Sequence, residues 1–219
     1  MPLSTILAYP QDLEWWRTRH QQKIRERKGL NDKIDLVFMG DSITHAWEYT
    51  APNIWRKYYA HRSALNLGFD GDCTENLLWR IQNGAIDDIS PSLVVLLIGT
   101  NNAGHRQESS KQTALGIRVI LKELRSRLPS SKILLMAIFP RSKKPTQQLR
   151  MLVDGTNQLI QQYADGDSII WNDINHHFLD VKGILQETIM PDFLHLTAKQ
   201  YQVWAEEIEP LVQALSGEN

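Results

Sequence analysis

Five short apolar runs, rich in Val, Ile and Leu, recur along the chain and are separated by longer stretches of helical character. The runs cover residues 35–39, 64–67, 93–98, 133–139 and 168–171. The stretches of helical character cover residues 11–28, 74–82, 110–128, 146–163 and 197–215. Apolar runs that alternate with helices predict a parallel sheet covered by helices, and therefore an α/β fold.

The run at residues 35–39 has continuous apolar character, which is typical of a strand buried on both faces. In the third helical stretch, apolar residues recur at helical spacing and predict a face that packs on the core. These residues are Leu115, Val119, Leu121, Leu124 and Leu128. We interpret this face as core, without a chemical role.

Length and composition favour one ordinary globular domain. The chain has 219 residues, of which 42% are hydrophobic and 22% charged, and no linker-like stretch interrupts it. We therefore predict a single domain over residues 1–219, with residues 1–30 as an N-terminal helical extension packed on it. Residues 1–28 are rich in charge and lack an apolar core, which favours neither a signal peptide nor a membrane span and makes the cytoplasm the expected location.

Charge and cysteine content narrow the choice of partners. The 24 Lys and Arg nearly balance the 25 Asp and Glu, so no long-range field favours nucleic acid or an anionic membrane. The local basic stretch at residues 141–144 is interpreted as a solvated loop. Because Cys73 is the single cysteine, an internal disulfide and a cysteine-rich zinc site are excluded. We predict no cofactor and no metal.

Three of the predicted strands end in polar, glycine-bearing segments at residues 40–42, 68–74 and 99–102. The carboxyl ends of parallel strands are where open α/β sheets bind ligands, so these segments predict a pocket lined with hydrogen-bond donors. The first segment places Ser42 at the rim of the sheet. Taken singly, each segment is also explained by helix capping or by a turn.

A serine needs a base to become a nucleophile, and the base needs an orienting partner. Asp192 and His195 lie three residues apart on one turn, so Asp192 can bind one ring nitrogen while the other faces Ser42. The tetrahedral oxyanion would be bound by Gly71 N–H, the Asn101 side-chain amide and Ser42 N–H. The alternative for each is a structural role: a helix-surface pair for Asp192 and His195, and turn residues for Gly71 and Asn101.

The order of these segments resembles a known family. The residues Gly40-Asp41-Ser42-Ile43, Gly71, Gly99-Thr100-Asn101-Asn102 and Asp192-Phe193-Leu194-His195 look like the four blocks of the GDSL/SGNH hydrolases. The segments 66–72, 78–84, 99–102, 139–141 and 192–197 are most similar to the catalytic α subunits of intracellular platelet-activating-factor acetylhydrolase. The similarity spans residue 36 to about residue 204.

The resemblance implies a flavodoxin-like, three-layer α/β/α fold with a five-stranded parallel sheet, and a serine esterase acting through an acyl-enzyme intermediate. It implies Ser42 as nucleophile, His195 as base and then acid, and Asp192 as orienting residue. A small-molecule ester substrate and a homodimer are also expected by resemblance.

The resemblance further implies an acyl pocket formed by Ile43, Thr100 and Leu194, whose bulk would favour a short acyl group such as acetyl. The alcohol portion would belong to a small lipid or a carbohydrate. Two departures stand out: Ile43 replaces the leucine that names the motif, and Asp70 stands where the mammalian subunits have glycine.

Two other functions stay open. A non-catalytic flavodoxin-like binding module is one, since a fold does not fix a function, although no Walker-type or Gly-x-Gly-x-x-Gly segment is present. A two-metal phosphoesterase is the other, because Gly-Asp pairs and a late histidine occur. The seven histidines form no His-x-His or His-Glu-x-x-His motif, which disfavours the second alternative.

Overall fold

The computed structural model describes residues 4–30 and 34–216. Its sheet has five strands, β1 (Leu36–Gly40), β2 (Leu65–Gly68), β3 (Leu93–Leu97), β4 (Lys132–Met136) and β5 (Ile169–Asn172). The strands lie in the order β2-β1-β3-β4-β5, and every neighbouring pair is parallel. This is the flavodoxin-like order of doubly wound sheets. The predicted α/β class and the five-stranded parallel sheet are therefore confirmed.

Eight α-helices connect and cover the strands in the described part of the chain. They are α1 (Glu14–Leu30), α2 (Ser42–His45), α3 (Pro52–Tyr58), α4 (Thr74–Arg80), α5 (Thr100–Arg106), α6 (Ser110–Arg127), α7 (Gln148–Ile160) and α8 (Ala198–Ser216). The five predicted helices correspond to α1, α4, α6, α7 and α8. Sequence periodicity missed α2, α3 and α5, each of which is too short to display an apolar stripe. The helix α4 is equally short, but it continues into a further turn over Ile81–Ala85, which lengthens its pattern.

The helix ends differ from the prediction for local reasons. The predicted start of α1 at residue 11 is wrong by three positions, because residues 11–13 remain non-helical. The helix α4 ends at Arg80 rather than at residue 82, and a π-type turn follows over Ile81–Ala85. Gly84 has a φ of +97° in this turn, a conformation that interrupts a right-handed helix.

Side chains of the buried strands alternate between two apolar layers, as the pleat of a strand requires. In β1, Val37 and Met39 pack into the layer shared with α4, α6 and α7. Leu36 and Phe38 pack into the opposite layer, which holds Trp204 and the buried face of α8. The two layers, one on each side of the sheet, give the three-layer arrangement its core.

The helix α1 packs beside the end of β2 through aromatic contacts. Trp16 is fully buried and its ring lies 5.7 Å from the ring of Phe69 and 5.4 Å from that of Trp79. The interpretation of residues 1–219 as one domain with a packed extension stays a prediction, and residues 1–3 of that extension lie outside the described residues. No helix in the described ranges has the length and apolar character to cross a membrane.

The order of the strands reverses direction between β1 and β3, since β2 lies on one side of β1 and the later strands on the other. A crevice forms at such a switch point beyond the carboxyl ends of the strands, and doubly wound proteins bind their ligands there. Ser42 follows β1 and Asn101 follows β3, so two of the predicted site residues flank this crevice.

Candidate active site

Ser42 is the first residue of α2, directly after the sharp exit from β1. Asp41 caps this helix, because its Oδ1 accepts a hydrogen bond of 3.0 Å from Ile43 N–H. Gly40 permits the exit: a Cβ at this position would overlap the Leu97 carbonyl oxygen and the Thr44 hydroxyl. Ser42 is 8% exposed, so its hydroxyl stands at the floor of the crevice with limited access for water.

The loop before α8 brings an imidazole to this serine across 153 positions of sequence. Ser42 Oγ lies 2.9 Å from His195 Nε2, and His195 Nδ1 lies 2.6 Å from Asp192 Oδ2. The segment is a non-helical turn in which Phe193 has a φ of +57°. Asp192 Oδ1 accepts the N–H groups of Leu194 and His195, so one carboxylate both shapes the turn and binds the ring.

The hydrogen bonds to Asp192 fix its charge and the orientation of the histidine. Partial burial raises the pKa of Asp192, but the backbone and ring N–H groups of His195 and the N–H of Leu194 outweigh it, and the net pKa lies below the ordinary value. An ionised Asp192 accepts a hydrogen bond from His195 Nδ1–H. This tautomer leaves Nε2 unprotonated, so that it can accept a hydrogen bond from the Ser42 hydroxyl. The arrangement can therefore move the serine proton to the ring.

The second predicted segment, after β2, forms a tight turn that carries Gly71. Gly71 has a φ of +74°, which favours glycine, and Asp72 N–H closes the turn on Phe69 O at 3.2 Å. Asn101 Nδ2 donates to Asp72 O at 3.1 Å, which ties the start of α5 to this turn. The structure thus joins Gly71 and Asn101 through Asp72, and Ser42 N–H lies at the start of α2.

Asp70, in the same turn, contacts α2. Its Oδ1 lies 2.8 Å from His45 Nδ1, one turn beyond the nucleophile. Tyr49 packs against the same imidazole, with ring centroids 5.3 Å apart. Partial burial raises the pKa of Tyr49 to about 12, and the charge and hydrogen bond of Asp70 contribute to this rise. The phenol therefore keeps its proton. These side chains form a polar edge of the crevice.

The carboxyl of Asp41 is buried beneath the nucleophile with other charges nearby. Burial raises the pKa of Asp41 to about 7. The hydrogen bond from Ile43 N–H and the charge of Arg141 lower the pKa, whereas the charge of Asp72 raises it further. This carboxyl therefore changes its charge near neutral pH, unlike an ordinary surface aspartate.

The residues of the predicted acyl pocket differ in their burial. Ile43 and Thr100 are buried, whereas Leu194 is partly exposed. Leu194 and Arg141 line a neighbouring cavity of about 450 Å³. Arg141 Nη1 donates to Thr100 O at 2.6 Å and to its hydroxyl at 3.2 Å.

The prediction that residues 141–144 form a solvated loop is wrong for Arg141. This guanidinium is half-buried because Gly104 leaves room for it: a Cβ on Gly104 would overlap Arg141 Nη1. Sequence reasoning missed Arg141 because its partner, Thr100, lies 41 positions away. The signal available in the sequence was its place in the segment 139–141, directly after a predicted strand.

Cys73 and His105 lie next to the turn of Gly71 without joining Ser42. Burial raises the pKa of the Cys73 thiol to about 12, so the thiol is neutral and unreactive at physiological pH. His105 is exposed, and a Cβ on Gly71 would lie 3.8 Å from its Cε1. Within the described ranges, no group of three or more His, Cys, Asp or Glu side chains is placed to hold a metal ion.

A flavodoxin-like fold whose crevice holds Ser42, His195 and Asp192 in hydrogen-bond contact defines the class of the serine ester hydrolases. Comparison with known proteins agrees with this class. Residues 38–203 match the GDSL-like Lipase/Acylhydrolase family, and the chain belongs to this family.

Among curated proteins, the chain is similar to platelet-activating factor acetylhydrolase IB subunit alpha2 of Rattus norvegicus, with 30% identity over 201 residues. The match covers 91% of this chain and 84% of the relative.

Solved structures also share the fold. A GDSL-like lipase from Bacteroides thetaiotaomicron has a TM-score of 0.74 and 20% identity, with 89% of this chain and 97% of that chain covered. An acetylxylan esterase from Geobacillus stearothermophilus has a TM-score of 0.65 and 16% identity, with 87% and 97% covered. These likenesses show the fold.

Proposed function

We propose that the protein hydrolyses short-chain, acetyl-type esters of a small lipid or carbohydrate through an acyl-enzyme intermediate on Ser42. The 2.9 Å contact between Ser42 Oγ and His195 Nε2 carries this proposal. His195 accepts the serine proton as Oγ bonds to the ester carbonyl carbon, and Asp192 holds the resulting imidazolium. His195 then donates the proton to the leaving alcohol.

In the second half of the reaction, water takes the place of the alcohol. His195 removes a proton from this water as its oxygen bonds to the acyl carbon, and the bond to Ser42 Oγ then breaks with return of the proton to the serine. During both halves, Gly71 N–H, the Asn101 amide and Ser42 N–H bind the negative carbonyl oxygen of the tetrahedral intermediate.

The preference for a short acyl group rests on Ile43, Thr100 and Leu194. Ile43 and Thr100 are fully buried, and their bulk supports a preference for a short acyl chain. Two relatives in the comparison act on acetyl groups by name, one an acetylhydrolase and the other an acetylxylan esterase. We extend the acetyl preference to this chain; a cytoplasmic location and a homodimer remain predictions.

Covalent labelling tests the assignment of Ser42. A fluorescent organophosphonate is expected to label the intact protein at one residue, identified by peptide mass spectrometry as Ser42. The Ser42→Ala and His195→Ala variants should not be labelled, whereas Ser126→Ala, which changes an exposed serine of α6, should match the wild type. Unchanged labelling of Ser42→Ala would refute the assignment of Ser42 as the nucleophile. A wild type that is folded but not labelled would favour a non-catalytic binding module.

Chain length tests the acyl preference. Hydrolysis of p-nitrophenyl acetate is expected to be faster than that of the decanoate, measured as kcat/KM at equal enzyme concentration. An equal or faster rate with the decanoate would contradict the short pocket. A panel of acetylated sugars and phospholipids then identifies the alcohol. Activity that a chelator abolishes would instead support the metal-dependent phosphoesterase.

A further inference from the structure

The side chain of Gln11, which precedes α1, lies against the turn that carries Gly71. Gln11 Nε2 donates to Asp70 O at 3.0 Å and to Asp72 Oδ1 at 2.7 Å. A primary amide nitrogen carries two hydrogens, so this pair of bonds uses both. A Cβ built on Gly71 would lie only 3.6 Å from Gln11 Nε2, which places the amide directly beside this glycine.

The carbonyl that Gln11 binds belongs to the same peptide group as the Gly71 N–H. No cis peptide bond occurs among the described residues, and in a planar trans peptide the C=O and N–H bonds point in opposite directions. A hydrogen bond to Asp70 O therefore fixes the direction of the Gly71 N–H. Glycine permits more than one orientation of the Asp70–Gly71 peptide within this turn, and the bond from Gln11 favours one of them.

The second acceptor of Gln11, Asp72, links to the other oxyanion donor. Its carboxylate is fully buried and also accepts Trp16 Nε1 at 2.6 Å and Arg80 Nε at 2.8 Å. Its main-chain carbonyl accepts Asn101 Nδ2 at 3.1 Å, which orients the amide of that asparagine. Gln11 is thus connected, directly or through Asp72, to two of the three proposed oxyanion donors, Gly71 N–H and the Asn101 amide.

We propose that Gln11 is a positioning residue of the oxyanion hole, which holds the Asp70–Gly71 peptide in the orientation that catalysis needs. This inference rests on the proposed function. It gives the N-terminal segment a role in the reaction, although this segment lies outside residues 38–203, the part that matches the family. The loss of Gln11 leaves Trp16 and Arg80 on Asp72, so the fold around the turn should persist.

The test compares Gln11→Met with Gln21→Met. Methionine has nearly the length of glutamine and no donor, and Gln21 is an exposed residue of α1, which controls for the change of side chain. We expect kcat on p-nitrophenyl acetate to fall about tenfold in Gln11→Met, because an oxyanion donor acts mainly in the transition state. KM should stay within about twofold of the wild type, and the melting temperature should match the control.

A trifluoromethyl ketone gives a readout that a merely structural role would not change. The Ser42 hydroxyl adds to this ketone and forms a bound oxyanion, so its affinity should fall by the same factor as kcat/KM in Gln11→Met. The role of Gln11 would be overturned if Gln11→Met had the kcat of the wild type, whether or not its KM is raised. It would also be overturned if this variant bound the ketone as tightly as the wild type does.

The Ser42→Ala variant separates the two proposals. If Ser42→Ala is inactive and Gln11→Met has wild-type kinetics, only the role of Gln11 fails. If Ser42→Ala keeps its activity, the proposed function fails as well, and the kinetics of Gln11→Met no longer report on an oxyanion at this serine.

Discussion

Replacing Asp41 by Asn tests the energetic cost of a buried carboxyl beneath the nucleophile. Asp41 is 1% exposed, and its Oδ1 accepts the Ile43 N–H bond that caps α2. Asparagine keeps an acceptor oxygen at the same place and is an equally good N-cap residue. The substitution therefore removes the titration of the carboxyl while it preserves the cap.

The magnitude follows from the pKa of this carboxyl, which burial raises from 3.8 to about 7. At about 1.4 kcal/mol per unit, a difference of about three units corresponds to about 4 kcal/mol. Between these two pKa values the folded state binds more protons than the unfolded state, so this group makes the protein less stable as pH rises. Below the pKa of the unfolded state this loss of stability is absent, and above the pKa of the folded state it is complete.

Urea unfolding of the wild type and Asp41→Asn, measured from about pH 4 to about pH 8, gives the difference directly. We expect similar free energies of unfolding at the acid end and an advantage for Asp41→Asn that grows to about 4 kcal/mol at the alkaline end. The control Asp12→Asn, with a side chain 86% exposed, should show a difference of less than about 1 kcal/mol at all pH values. A pH-independent difference for Asp41→Asn, or a wild type that gains stability over Asp41→Asn with rising pH, would refute the reasoning.

Three further predictions concern the surroundings of the site. Asp192→Asn should lower kcat on p-nitrophenyl acetate about a thousandfold, because the ring of His195 loses the carboxylate that fixes its tautomer; a loss below about tenfold would contradict this role. Tyr201→Phe removes the 2.6 Å hydrogen bond from the phenol to Ile43 O and should reduce the free energy of unfolding by about 1 kcal/mol in urea, whereas no change would show the bond to be dispensable. Cys73 should resist iodoacetamide in the folded protein at neutral pH and react in denaturant, as mass spectrometry can measure; rapid alkylation of the folded protein would contradict its burial.

Strands β1 to β4 were predictable because they are buried on both faces, which requires continuous apolar runs, whereas β5 is only partly buried. In β1 the residues Leu36, Val37, Phe38 and Met39 are all fully buried, and their run in the sequence has no polar interruption. The bounds shifted by at most three residues, and the start of β3 at Leu93 did not shift, since the last hydrogen bond of a strand depends on its neighbour. After β4, residues 137–139 are also apolar and buried, but they lie beyond the last residue of β4 that pairs with β3. The apolar run is therefore longer than the strand.

The residues of the candidate active site were predicted from their amino-acid types and their order in the sequence. Ser42, Asp192 and His195 stand in segments that also have structural explanations, and the resemblance to a family selected them. Their contact across 153 positions follows from the sheet, which brings the end of β1 and the loop before α8 to one edge. Gln11 and Arg141, to which sequence analysis gave no role in the site, contact partners far away in the chain.

The sequence by itself determined the α/β class, the strand segments and the polar residues at the strand ends, because burial, periodicity and turn chemistry are local properties. Only the tertiary structure decided which polar groups meet. The bond of Gln11 to the Asp70–Gly71 peptide joins groups 59 positions apart, and the burial of Asp41 depends on everything packed around it. Such contacts and pKa values depend on distances between segments, and those distances exist only once the strands have assembled.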